Sequence, residues 1–89
     1  MQRDPSDLLQ YDAPPRRDDD ARAFLQLGIS CTIGAECPVD LVAAHKWFNL
    51  AAMRGDPEAI RLRREVAAEM TTAEITTAQR AARDWITTH

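Results

Sequence analysis

Apolar positions recur at helical spacing in four stretches of the chain, and glycine, proline and capping residues separate the stretches. This pattern predicts an all-α protein of about four helices. The first helix is predicted from about Asp18 to Ile33, with Phe24, Leu27, Gly28 and Cys31 as its inner stripe. The Asp18-Asp19-Asp20 run sits at its positive end, where the helix dipole favours carboxylates. Gly34 ends it, because glycine accepts the left-handed conformation at a helix C-terminus. Pro38 and Val39 lead to Asp40, a predicted N-cap for a second helix from about Leu41 to Arg54, with Ala44, Trp47, Phe48 and Ala51 inside. Gly55 closes that helix, and Asp56-Pro57 opens the third with a capping aspartate and a proline in the first turn. In the third helix Ala59, Leu62, Val66 and Met70 fall on one face, widened by Ile60 and Ala67, while Arg61 and Glu65 pair outside. The fourth begins at a capping box, Thr71 to Glu74. Its predicted inner stripe is Ile75, Ala78, Ala82, Trp85 and Ile86, with Arg80 and Asp84 paired outside and fraying near Thr87.

The first two helices carry the most specific signal. A glycine inside a helix costs about 1 kcal/mol relative to alanine, so Gly28 is expected where a neighbouring helix needs the backbone to come close. Small residues alternate with bulky aromatics around Trp47 and Phe48, which suits close nesting. Leu27-Gly28, Gly34, Asp40, Ala44, Trp47-Phe48, Ala51-Ala52 and Gly55-Asp56-Pro57 together resemble one Sel1-like repeat, and a plain tetratricopeptide unit is the nearest structural alternative. The resemblance implies two antiparallel helices joined by a glycine-containing loop, with the repeat core at 24–59. The chain departs from the family pattern at Cys31, where tyrosine is usual, at Glu36, where a second loop glycine is usual, and at Cys37, where valine is usual. The last two helices, 57–87, resemble a degenerate second pair, and we expect them to cap the single repeat. Repeats normally hide their open faces by stacking several units.

Eighty-nine residues allow one small domain. The first twenty hold three arginines against six aspartates, a net −3 that equals the charge of the whole chain, so the rest balances. That segment also holds three of the five prolines and few large apolar residues beyond Leu8, Leu9 and Tyr11. We read 1–17 as a disordered acidic tail, because it cannot bury enough apolar surface to offset chain entropy. The helical domain then covers 18–89. A neutral, evenly mixed body offers no electrostatic reason to expect nucleic acid or an anionic membrane. The charged, proline-containing start does not resemble a secretion signal, and no apolar run reaches the roughly 20 residues a bilayer span needs. A cytoplasmic location is therefore expected, with Cys31 and Cys37 reduced and structural.

Candidate chemistry is sparse. His45 beside Lys46 reads as a surface or partly buried histidine, with no carboxylate at helical spacing to orient it. His89 has no histidine or cysteine near it in sequence. There is no phosphate-binding glycine loop, nucleophile elbow or metal-binding histidine pair. No catalytic, cofactor-binding or metal-binding residue is nominated, and an enzyme is not expected. Arg61, Arg63 and Arg64 form either a solvated face balanced by Glu58, Glu65 and Glu69 or a site for acidic groups. The end of the chain, Trp85-Ile86-Thr87-Thr88-His89, has two readings. It is a free terminus that enters a groove or pore as an extended strand, or a helix that buries Trp85 and Ile86 and leaves three residues dangling.

The resemblance extends over the whole chain. Ala51 to Gly55 and the helix from Thr71 to His89 are similar to those of small single-repeat Sel1-like bacterial proteins that regulate the AAA+ protease Lon. The similarity implies an adaptor or allosteric activator in protein quality control or the stress response. It would engage Lon through Trp85, Ile86, Thr87, Thr88 and His89 and promote degradation of other substrates. A secondary partner surface is expected around His45, Trp47, Phe48, Arg61 and Arg64. The alternative is a generic Sel1-like scaffold that binds a peptide in the groove of the helix pair and makes no use of the terminus.

Overall fold

A computed structural model of the protein describes residues 17–34 and 38–88, with side chains for all of these except 17–19. Four α-helices and no strand occur among the described residues: α1 (Arg17–Ile33), α2 (Leu41–Met53), α3 (Pro57–Ala67) and α4 (Thr72–Thr88). Residues 1–16 of the expected tail, with Leu8, Leu9 and Tyr11, lie outside the described residues, as do Glu36, Cys37 and His89; Arg17 belongs to α1.

The punctuation of the sequence works as its chemistry requires. Gly34 has φ 68° and its amide donates to the carbonyl of Ser30, which closes α1. Asp40 caps α2 by accepting from the Ala43 amide at 3.0 Å. Gly55, with φ 97°, turns the chain out of α2, and the Asp56 carboxylate accepts from the amides of Glu58 and Ala59 at the start of α3. The capping box of α4 is reciprocal: the Thr71 hydroxyl accepts from the Glu74 amide at 3.1 Å, and the Glu74 carboxylate accepts from the Thr71 amide at 2.8 Å. Each cap satisfies amides that the first turn of a helix leaves without intrahelical partners.

Helix α2 is the centre of the fold, and α1, α3 and α4 each pack chiefly on it. Its composition explains this role. Ala44 and Ala51 are wholly buried, and Phe48 and Leu50 nearly so. Along α1 and α2 the partners run in opposite senses. Phe24 shares a cluster with Leu50 and Ala51, Gly28 meets Phe48, and Cys31 shares a cluster with Ala44 and Phe48. Ala59 of α3 and Ala82 of α4 join the Phe24 cluster, while Val66 and Leu62 of α3 and Met70 join the Cys31 cluster.

Two stripe assignments need correction. Leu27 is 45% exposed. The contact line of α1 is Ala21, Phe24, Gly28 and Cys31, and the partly buried residues beside it are Leu25 and Ile29. The face therefore widens away from Leu27. Ile86 is 44% exposed, because the buried line of α4 runs through Ala78 and Ala82 to the half-buried Trp85 and ends there. The end of α4 also differs from the expected fraying. The helix continues to Thr88, and the Thr87 and Thr88 hydroxyls donate to the carbonyls of Arg83 and Asp84, each at 3.0 Å. Arg61 pairs with Glu65 as expected and with Glu58 as well, whereas Arg80 and Asp84 form no ion pair with each other.

Candidate functional site

The last turn of α4 is held to the body by aromatic rings. Trp85 meets Phe24 of α1 edge to face, with centroids 5.1 Å apart, and meets Trp47 of α2 edge to face at 6.1 Å. Phe24 and Trp47 are stacked at 5.8 Å. Edge-to-face and offset-stacked pairs at these separations place the positive ring edge on the negative face. Two cations border the group: the Lys46 amine lies 3.9 Å from the Trp47 ring centroid, and the Arg54 guanidinium lies 5.6 Å from that of Phe24. Arg54 also donates to the Asp20 carboxylate at 2.5 Å. Three helices thus meet at one aromatic cluster, and Trp85 is the contribution of α4.

Beyond Trp85 the helix faces outward. Ile86 is 44% exposed, and Met53 near the end of α2 is 60% exposed. Together with Asn49, Gln79, Ala82 and Arg83 they line a shallow depression of about 420 Å³ between α2 and α4. Thr87 and Thr88 are exposed on the same final turn. The terminal segment 85–88 is therefore helical rather than extended. It joins one anchored aromatic to an apolar residue and two threonines open to solvent.

The expected secondary surface divides. Trp47 is half-buried and Arg61 and Arg64 are exposed, but His45 and Phe48 are 3% and 1% exposed and cannot meet a partner without unfolding. The reason is rotational. Phe48 points at α1, where Gly28 admits it, and His45 lies next to Ala44 on the buried side of α2. The Nδ1 atom of His45 is buried with no hydrogen-bond partner. Loss of hydration, and secondarily the charge of Arg63, hold the imidazole below its ordinary pKa, against a smaller opposing effect of a backbone carbonyl. Arg63 itself donates to the Asn49 side chain at 2.6 Å. Arg61 holds the Glu58 carboxyl below its ordinary value through a direct hydrogen bond, and it donates to Glu65 at 2.6 Å.

Sequence reading missed Met53, which stands outside the 44–47–48–51 stripe but lies one turn beyond Asn49 on the flank that meets α4. Its one available signal was a large apolar residue at an off-stripe position just before the helix-ending Arg54-Gly55. Among the described residues, no group of three or more His, Cys, Asp or Glu side chains is placed to hold a metal ion. No described helix is long and apolar enough to cross a membrane. The chain matches no protein-family model, no curated protein and no solved structure.

Proposed function

We propose that the protein is a single Sel1-like repeat with two flanking helices that acts as an adaptor and allosteric activator of the protease Lon. On this reading it resembles LarA, a Lon regulator, and engages Lon through its C-terminal segment to promote degradation of other substrates. The repeat assignment is supported by the opposite sense of the α1 and α2 contacts and by Gly28, Gly34 and Gly55 at the places where such a pair needs them. The functional reading is carried by one observation: the final turn of α4 presents Ile86, Thr87 and Thr88 to solvent while Trp85 is fixed among Phe24 and Trp47.

An exposed end on a firmly seated helix suits recognition by another protein, since little order is lost on binding. The Met53–Ile86 depression adds a second contact beside the terminus, which raises the effective concentration of the tail at its receptor. Activation then requires that the active state of the protease bind this surface more tightly than the inactive state does. No step of this mechanism uses a cofactor.

The test is Lon-catalysed degradation of an unrelated unfolded substrate in the presence of the full chain or of a chain ending at Ile86. Stimulation by the full chain alone is the expected result. Equal stimulation by both would move the contact to the helical body, and stimulation by neither would sink the Lon reading.

A further inference from the structure

A second concave surface lies on the part of the fold formed by α1, α2 and α3. It encloses about 460 Å³, and its apolar floor is built by Ile29, Leu41, Leu62 and Val66, with the buried Phe48 ring beneath them. Val39, 58% exposed, stands at its mouth. One edge is acidic. Glu58, Leu62 and Glu65 line the groove from one face of α3, and Glu69, in the turn that follows the helix, continues the edge. No lysine or arginine lines it. Arg61 lies beside that edge and is engaged by Glu58 and Glu65, so one guanidinium stands against three carboxylates. Glu69 has no ion-pair partner among the described residues.

We propose that this groove is a docking site for an amphipathic segment of a partner polypeptide, with apolar side chains on its floor and lysine or arginine along the α3 edge. The charge of the rim selects the occupant. Phosphate-bearing partners, whether nucleic acid or anionic lipid, meet like charge here and gain nothing from counterion release. Residues 1–16 of this chain, with two arginines against three aspartates, lack the net positive charge that would match this rim. A cationic segment finds an attractive field over an apolar surface, the combination in which charge guides approach and burial holds the complex. The volume fits a few large side chains, in the range of ordinary ligand pockets, and the anchors of an amphipathic helix at one-turn spacing supply that number. The groove shares no residue with the Met53–Ile86 depression, so this inference stands or falls separately from the Lon reading.

The test is an NMR titration of the labelled full chain with a 14-residue amphipathic peptide of leucine and lysine, and with its leucine and glutamate counterpart. The lysine peptide is expected to shift the signals of Ile29, Val39, Leu62 and Glu69. We expect it to bind at least about tenfold more tightly than the glutamate peptide at low salt, with the preference shrinking at high salt as the charges are screened. The double variant E65K/E69K should reverse the preference. E69K alone, which breaks no described ion pair, should weaken lysine-peptide binding even if the double variant fails to fold. Equal binding of the two peptides, shifts confined to Met53 and Ile86, or an E69K protein that binds unchanged would each overturn the proposal.

Discussion

The ring of Phe48 occupies the space in which any other residue at Gly28 would carry a side chain. A Cβ built on Gly28 falls 2.6 Å from Cδ1 and 3.0 Å from Cζ of that ring. The missing side chain of α1 and the buried aromatic of α2 are therefore one feature. The cost of a helical glycine is offset by the close approach that Phe48 needs to become 1% exposed.

Gly28→Ala should consequently destabilise the protein, although alanine favours helix. The overlap is with a packed ring, and overpacking of this kind costs about 1–3 kcal/mol, more than the roughly 1 kcal/mol gained in helix propensity. Urea denaturation would read the difference. Adding Phe48→Leu should relieve part of the clash, so the two substitutions together should cost less than the sum of each alone. Strict additivity would show that ring and glycine do not interact.

Trp85→Ala removes the α4 member of the aromatic cluster. Full burial of such a side chain is worth about 3–5 kcal/mol on truncation. Trp85 is half-buried, and we expect roughly half of that, read as a lowered thermal midpoint. The remaining tryptophan, Trp47, should shift its emission to the red as solvent reaches the space left open.

His45 makes stability depend on pH. Its folded pKa lies below the ordinary histidine value of about 6.5, chiefly from lost hydration and then from Arg63. The unfolded state therefore binds more protons between the lowered folded value and 6.5. Stability is full above about pH 6.5 and is lost as pH falls from there through the folded value. His45→Leu removes the titrating group without breaking any bond at Nδ1, which has no partner. The variant should lose less stability than the parent between pH 7.5 and 5.5 in urea melts. Parallel losses in the two proteins would assign the acid sensitivity elsewhere.

Thr71→Ala should cost about 1 kcal/mol, the usual worth of an N-cap hydroxyl. It removes the acceptor for the Glu74 amide and leaves the return bond from the Thr71 amide in place. The effect should appear as faster hydrogen exchange in the first turn of α4, with the exchange of α1 unchanged.

Much of the fold was legible because it is local. Gly34, Asp40, Gly55, Asp56 and Thr71 act within four residues of themselves, and each ends or starts a helix where its side-chain chemistry says it should. The close approach at Gly28 was legible for the same reason, as an expensive residue in need of a justification. Helix faces were read less well at their edges. Leu27 and Ile86 fit the apolar period but miss the contact line, because the exact rotation of a helix is set by its neighbour. Periodicity locates an apolar stripe only to within about the width of one residue. The candidate sites were harder still. Met53 and Ile86 come together from helices 33 positions apart in sequence, and the acid-edged groove needs three helices to exist. His45 illustrates the reverse. The lysine beside it in sequence suggests a position near solvent, and only the packing of other helices around α2 makes it a core residue.

The central place of α2 governs how the molecule opens. A peripheral helix can detach by breaking chiefly its contacts with α2, whereas α2 is uncovered only when two or more neighbours have left. Native-state fluctuations should therefore form a hierarchy, with brief excursions of single outer helices and very rare exposure of the inner one. A nascent chain meets the same ordering in reverse. The segment 41–53 provides the template on which everything synthesised after it must condense.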